Sequence, residues 1–390
     1  MKNEKISVVG LGYVGIEIFK RLLKKNKFVF GYDLNLEKIK KLKQYSNISG
    51  NINILDDSKY IFVCIDTPIK NKKPDLSNLV KFCKSTSKFN LKGSTLIIES
   101  SLAPETVETK ITPLIEKFSK LKMGRDFQIS YSPERISPSD IINFEKIIKV
   151  VSAKNNNVLK KVNNIYKSIL DKTITTNKIK ESEMSKIFEN TQRDLNIALT
   201  NQLFMLCKKT NLDFNEVINL CSTKWNFQKY NHGIVGGHCI PVDPYYLYDY
   251  GKKNKFNFSL IPITRKINDN FINWTANNFL NKIKTISQKK ILIVGQTYKE
   301  NVSDTRNSGA IKIYKLIKKK YKNTSVYDAE LSKFPSPTSR YNIIIYLINH
   351  RSNFNKKNPI TKFFDNKNVY IFDTFNKLEK KFNSKVKIIK

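Results

Sequence analysis

The run from Lys5 to Asp33 limits the possible fold more than any other stretch of the chain. Lys5-Ile6-Ser7-Val8-Val9 reads as a buried strand, Gly10-Leu11-Gly12-Tyr13-Val14-Gly15 as a glycine turn, and Ile16 to Leu23 as an amphipathic helix. A second strand, Phe28 to Tyr32, ends at Asp33. Strand, G-x-G-x-x-G, helix, strand and acid make up one dinucleotide-binding βαβ unit. The glycines permit a tight turn and let a pyrophosphate approach the backbone at the helix N-terminus. Gly10, Gly12, Tyr13, Val14 and Gly15 are therefore candidate cofactor contacts. Asp33 stands roughly 20 residues further on, where a carboxylate accepts a ribose diol and repels a 2′-phosphate, so NAD is the expected cofactor.

Further strands follow in the same style. Tyr60 to Ile65 runs into Asp66-Thr67-Pro68, Ser94 to Ile98 into Glu99 to Pro104, and Phe127 to Tyr131 into Ser132-Pro133-Glu134-Arg135-Ile136, with Lys146 to Ser152 as another strand. In a parallel sheet the carboxyl ends of the strands line the ligand crevice. Thr67 and Ser101 are thus placed to face the cofactor, or alternatively to cap their own turns. Glu134 is a candidate site acid. A second strand and glycine, Lys289 to Gly295, precede the loop Gln296 to Ser308, a helix from Gly309 to Lys319, and strands at Val326 to Asp328 and Tyr341 to Tyr346. Lys299 and Arg306 in that loop suit phosphate binding, Arg through its bidentate fork.

Between these halves the pattern is helical. From Lys178 to Lys209, Glu183, Lys186 and Asn190 share one face, and Ile187, Leu195 and Leu199 supply a buried side. On a surface, Glu183 and Lys186 would be an ordinary ion pair worth a few tenths of a kcal/mol. Asn190 is a poor helix former, which points to a side-chain contact. A short helix is expected over Asp213 to Asn219. Trp225, Phe227 and Tyr230 read as packing residues, and a helix from Arg265 to Lys284 as a spine between domains and a dimer surface. The expected fold is α/β, with two Rossmann-like doubly wound domains at 1–177 and 286–390 joined by a central helical segment at 178–285.

That central segment carries Gly236-Gly237-His238-Cys239-Ile240-Pro241-Val242-Asp243, a cysteine four residues before an acid and behind a glycine pair. A thiolate at such a turn attacks a carbonyl, and a carboxylate nearby handles protons or positions water. The alternative is a buried structural thiol.

Composition narrows the functional classes. Hydrophobic residues form 40% of the chain, enough for real cores, and no apolar run approaches the ~20 residues of a membrane span. Met1-Lys2-Asn3-Glu4-Lys5 leads directly into a strand, so a soluble cytoplasmic protein is expected. Five cysteines without C-x-x-C spacing and three histidines argue against a disulfide framework or a metal site. Seventy Lys and Arg against 33 Asp and Glu leave +37, which raises a nucleic-acid hypothesis. The lysines are scattered and accompanied by abundant Asn and Ile, so compositional drift is favoured; no nucleic-acid or membrane partner is expected.

Together, Gly10 to Gly15, Thr67-Pro68, Glu99 to Pro104, Ser132 to Ile136, Glu183 to Asn190, the Cys239 loop and Lys299 to Ser308 resemble the UDP-glucose/GDP-mannose dehydrogenase family over nearly the whole chain. Ser132 to Ile136, Ser185 to Leu199, Lys224 to Phe227 and Gly236 to Cys239 are similar to members that oxidise UDP-N-acetylhexosamines, with UDP-glucose and GDP-mannose as runner-up substrates. The resemblance implies a cytoplasmic homodimer or larger homo-oligomer whose 286–390 domain binds a UDP-sugar for polysaccharide precursor synthesis. It implies a four-electron oxidation of the sugar C6 alcohol to a carboxylate, reducing two NAD⁺. Cys239 would attack the aldehyde, Lys186 and Asn190 stabilise the oxyanion, Asp243 activate water and Glu134 assist hydrolysis. Arg135, Gly236, Gly237, Arg265, Lys299 and Arg306 would lie on the substrate side. The chain departs from the family pattern at Asp66 (usually Pro), Ser101 (usually Thr), Glu105 (usually Gly) and Pro241 (often Gly), and looks shortened between Asp328 and Tyr341. These changes bear on substrate choice and rate.

Overall fold

The computed structural model describes residues 4–136, 141–287, 289–331, 340–354, 360–365, 369–373, 375 and 386–389. Most of the shortened stretch after Asp328 lies outside them. The chain divides into two compact units, Met1–Asn190 with Val242–Asn257, and Thr191–Pro241 with Phe258–Lys390. The break falls inside one long helix. Within the central segment Phe204, Cys207, Phe214, Ile218 and Phe271 form a core cluster, while Ile179 packs into the core of the first unit and Ile272, Ala276 and Phe279 into that of the second.

The first unit is built on an eight-stranded sheet. Its strands are β1 (Ile6–Val9), β2 (Val29–Tyr32), β3 (Ile48–Ser49), β4 (Tyr60–Val63), β7 (Thr95–Ile98), β8 (Gln128–Tyr131), β9 (Ile148–Ser152) and β10 (Lys172–Thr176), with β5 (Ile69–Lys70) and β6 (Lys73–Pro74) forming a separate hairpin. The order is β10-β9-β8-β7-β4-β1-β2-β3, parallel except at the β8–β9 pair. Strands β1, β4 and β7 are buried along their whole length, as continuous Val/Ile runs with helices on both faces must be. Order reverses between β1 and β4, the switch point at which such sheets bind ligands. Helices α1 (Tyr13–Lys25), α2 (Leu36–Lys41), α3 (Ser77–Ser85), α4 (Thr112–Ser119) and α5 (Asn156–Lys167) follow in chain order. Ile18, Phe19 and Leu22 recur on one face of α1 and pack with Ile6, Val8, Phe62 and Tyr166.

Helix α6 (Ile179–Thr210) crosses the division. Among its buried positions, Ile179, Glu183, Ile187, Asp194, Ala198 and Asn201 follow the helical period, and three of these six carry polar side chains. Leu199, expected inside, is 65% exposed because it stands one residue, about 100°, off that stripe. With Phe188 and Leu206, also exposed, it forms an outward apolar row. The packing role expected of Trp225 is also corrected, since its side chain is 92% exposed.

The second unit carries α7 (Phe214–Cys221), whose Asp213 caps the amides of Asn215 and Glu216, then α9 (Leu260–Lys282) and α10 (Gly309–Lys320); α8 (Asp243–Lys253) belongs to the first unit. Its five strands, β11 (Ile291–Val294), β12 (Thr324–Tyr327), β13 (Ile343–Tyr346), β14 (Val369–Phe372) and β15 (Val386–Ile389), form a parallel sheet in the order β12-β11-β13-β14-β15. That is a doubly wound order too. No described helix is long and apolar enough to cross a membrane.

Candidate active site

The glycine turn is shaped by what its neighbours exclude. Gly10 takes φ +85°, and a Cβ there would lie 2.6 Å from the Cys64 carbonyl oxygen; one at Gly15 would overlap the Gly10 carbonyl. At Gly12 a Cβ would meet nothing within 4 Å. Open space therefore lies where Gly12 precedes Tyr13 and Val14 at the head of α1, the place for a pyrophosphate. Asp33 is buried; its Oδ2 accepts from Leu11 N at 2.8 Å and pairs with Lys38 Nζ at 2.7 Å, while Oδ1 accepts from Asn35 N at 2.9 Å. These residues fit NAD. The Thr67 hydroxyl donates to the Ser101 carbonyl at 2.8 Å, and Thr67 O accepts from Tyr246 OH at 2.8 Å. Thr67 thus ties the loops after β4 and β7 together. Asp66 is exposed. Glu105 takes φ +71°, the region glycine favours, and pairs with Lys180 at 2.9 Å.

The first unit brings Lys186, Asn190 and Asp243 together. Asp243 is 1% exposed at the start of α8, and Asn190 Nδ2 donates to its Oδ2 at 2.5 Å. Burial pushes the Asp243 carboxyl up to about 6, against the opposing pull of Lys186 and the Asn190 amide. Lys186 is 6% exposed and makes no hydrogen bond or ion pair with any described residue. Glu183 does not pair with it. Its Oε1 accepts from Val107 N at 2.9 Å, and burial pushes the carboxyl up to about 8. Glu183 thereby fixes the head of a π-helical turn, Val107–Ile111.

A second buried cluster surrounds Glu134, and its members Glu99, Lys149 and Tyr166 were not foreseen as site residues. Lys149 Nζ and Tyr166 OH both donate to the Glu99 carboxylate, one to each oxygen. Lys149 Nζ also stands 3.9 Å from Glu134 Oε2 and 5.4 Å from the Tyr166 ring centroid. Glu134 Oε1 accepts from Ile136 N. Burial raises the Glu99 carboxyl, and Lys149 opposes that rise. Arg135 is tied down by the Ile148 carbonyl, at 3.0 Å from Nη1, and by Glu189.

Cys239 lies in the second unit, half-buried, on a loop docked against residues 298–307. Gly237 N donates to Arg306 O at 3.1 Å, and Asn307 Nδ2 to Gly237 O at 2.9 Å. Gly237 takes φ +88°, and a Cβ there would sit 2.7 Å from the Tyr298 ring; one at Gly236 would sit 2.9 Å from Tyr298 Cβ. The glycine pair is thus required by Tyr298, a residue the sequence reading passed over. At the other end of the loop, Asn201 Oδ1 accepts from Gly233 N at 2.8 Å and its Nδ2 donates to Gly233 O at 3.1 Å. Arg306 forks onto Asp304, with Nη2 at 2.7 Å from Oδ2, and the Thr297 hydroxyl donates to Lys299 O at 2.9 Å. Arg265, read as a substrate-side residue, is buried and pairs with Asp194 at 2.7 Å and Asp269 at 3.1 Å, bracing α9 against α6.

A switch-point glycine turn with a buried acid, followed by a second doubly wound unit, defines a nicotinamide-dependent dehydrogenase architecture. Residues 47–170 match the NAD binding domain, 180–270 the central domain and 292–380 the UDP binding domain of the UDP-glucose/GDP-mannose dehydrogenase family. The chain belongs to that family and is an NAD-dependent nucleotide-sugar dehydrogenase. It is 37% identical to protein CapL of Staphylococcus aureus over 85% of this chain and 83% of the relative. It is 35% identical to the UDP-N-acetyl-D-glucosamine 6-dehydrogenase of Pseudomonas aeruginosa, over 85% and 84%. The solved UDP-D-ManNAc dehydrogenase of Pyrococcus horikoshii superposes with a TM-score of 0.84 at 27% identity, covering 99% of both chains.

Proposed function

We propose that this chain oxidises the C6 alcohol of a UDP-N-acetylhexosamine to the uronic acid in two steps. The observation that carries the reading is the grouping of the buried Lys186 and Asp243 with the half-buried Asn190, whose amide donates to Asp243. NAD⁺, when bound at the glycine turn, takes up the hydride of each oxidation. The first removes a hydride and a proton from the alcohol and leaves an aldehyde. The Cys239 thiolate then adds to the aldehyde carbon, and the oxyanion so formed is met by the Lys186 ammonium and an Asn190 N–H, donors already held in place by the fold. Departure of the second hydride leaves a thioester on Cys239. Water adds, its proton passes to Asp243 or Glu134, the C–S bond breaks, and the thiolate is regenerated. Two hydrides leave and one water enters.

The relatives' names support the sugar class: P. aeruginosa supplies a UDP-N-acetylglucosamine enzyme and P. horikoshii a UDP-N-acetylmannosamine enzyme. Lys299 and Arg306 hold the diphosphate on this reading, and Arg135, Gly236 and Gly237 shape the sugar side. Arg265 acts through Asp194. The chain works in the cytoplasm as a homodimer, making precursors for a polysaccharide, with the exposed row Phe188, Leu199 and Leu206 as the apolar face a second copy covers. Because Asp243 acts as the carboxylate, turnover falls as pH drops through about 6.

The test is NADH formation on UDP-GlcNAc, UDP-GalNAc, UDP-ManNAc, UDP-glucose and GDP-mannose, beside Cys239→Ser. Turnover on a UDP-N-acetylhexosamine with release of the uronate, lost in the variant, is the expected result. Turnover confined to UDP-glucose or GDP-mannose would overturn the substrate and keep the chemistry. Salt-sensitive nucleic-acid binding with no turnover would overturn both.

A further inference from the structure

The Glu99–Lys149 pair is more than a structural ion pair. A buried ion pair is balanced by one acid and one base, and breaking such a pair is costly. Here one ammonium, only 4% exposed, stands between two carboxylates. Glu99 is complete: one oxygen takes Lys149 and the other takes the Tyr166 hydroxyl. Glu134 is not: Ile136 N occupies Oε1, while Oε2 is buried without a hydrogen-bond donor among the described residues, 3.9 Å from Lys149. The Tyr166 ring covers the ammonium from α5. Lys149 on β9 is therefore fixed from two sides and also faces Glu134 Oε2, the oxygen left without a donor among the described residues.

We propose that Lys149 is a positioning residue for thioester hydrolysis: anchored by Glu99 and Tyr166, it aims Glu134 and leaves one of its oxygens for the attacking water. This rests on the role given to Glu134 above. Two carboxylates and one ammonium leave this cluster with one net negative charge, and it becomes neutral when Glu134 accepts the water's proton. The device acts on the second half of the reaction only. Alcohol oxidation and formation of the thioester need neither Glu134 nor Lys149.

The experiment is rapid quench of single turnovers followed by intact-protein mass measurement, with NAD⁺ binding measured separately. Four proteins are compared: wild type, Glu134→Gln, Lys149→Met and Lys149→Arg. Lys149→Met is expected to bind NAD⁺ as wild type does, to release the first NADH normally, and to slow hydrolysis roughly 10–100-fold, part of the ~10²–10⁴-fold a positioned base contributes. The uronyl adduct on Cys239 then accumulates, as it does in Glu134→Gln, and Lys149→Arg, which keeps the charge, clears it. If Glu134→Gln accumulates adduct and Lys149→Met does not, or loses both halves in proportion, Lys149 is structural; the proposal fails and the role of Glu134 stands. If Glu134→Gln accumulates none, that role fails and the proposal with it. Should Lys149→Met not fold, the neutral pair Glu99→Gln/Lys149→Met is read by the same adduct.

Discussion

The two doubly wound units begin with the same device and finish it differently. Gly10 N donates to Tyr32 O at 2.8 Å, and Gly295 N to Tyr327 O at 2.8 Å. Each second strand ends in Tyr-Asp. Asp33 accepts from Leu11 N and from Asn35 N; Asp328 accepts from Gln296 N at 2.6 Å and from Glu330 N at 2.9 Å. The difference lies in what fills the remaining acceptor sites. On Asp33 it is Lys38, whose half-exposed side chain can swing away. On Asp328 it is Thr297 N and the fully buried His350, whose Nδ1 accepts from Asn301 N, so that Nε2 carries the proton toward Asp328. The first acid keeps capacity for a ribose. The second is an internal plug. The same strand–glycine–strand–acid pattern therefore encodes a cofactor site only when the acid is left incompletely satisfied.

Substitutions at the two acids should separate these roles. Asp328→Ala leaves three N–H groups and His350 without an acceptor, at ~1–3 kcal/mol for each buried donor left unmade. A stability loss on the order of 3 kcal/mol or more is expected in denaturant titration, with NAD affinity of the folded protein unchanged. Weakened NAD binding at full stability would break the comparison. Asp33→Ala is expected to weaken NAD about tenfold, ~1.4 kcal/mol, in calorimetry, with a smaller stability change than at Asp328. Gly12→Ala adds a methyl where nothing lies within 4 Å, so folding should hold within about 0.5 kcal/mol while NAD affinity drops several-fold. An unchanged affinity would place the pyrophosphate elsewhere.

A pH series sharpens the contrast further. Burial alone would raise the Asp328 carboxyl, but His350 and the Gln296 and Glu330 amides outweigh it and hold it below the usual 3.8. A depressed carboxylate stabilises the fold at every pH above its unfolded value and loses that contribution as pH falls through the folded one. Wild type should therefore lose stability below about pH 4 more steeply than Asp328→Asn. Equal slopes would show that the plug contributes nothing.

How much of this was legible depended on distance along the chain. The Gly10 to Asp33 unit is local, and its strands, helix and acid appear where the pattern places them. Glu183, Lys186 and Asn190 share one turn-by-turn face of α6, so their grouping was readable; that Glu183 binds Val107 N rather than Lys186 was not. Glu99 directly follows β7, while Lys149 and Tyr166 come from β9 and α5, and only pairing of the strands brings them together. Tyr298 explains why Gly236 and Gly237 must be glycines, yet nothing in its own neighbourhood says so. The exposure of Leu199 and the partner of Arg265 escaped the sequence for a common reason. A helical period shows that a face exists, but which polar partner waits there, Asp194 in the case of Arg265, is a tertiary fact.

The most direct test of the account is stoichiometry. Limiting UDP-GlcNAc or UDP-ManNAc, whichever turns over, is consumed to completion with excess NAD⁺, and NADH is counted against sugar. The account predicts two NADH per sugar and a uronate product, both abolished by Cys239→Ser. One NADH per sugar with free aldehyde, or two with Cys239→Ser still active, would contradict it.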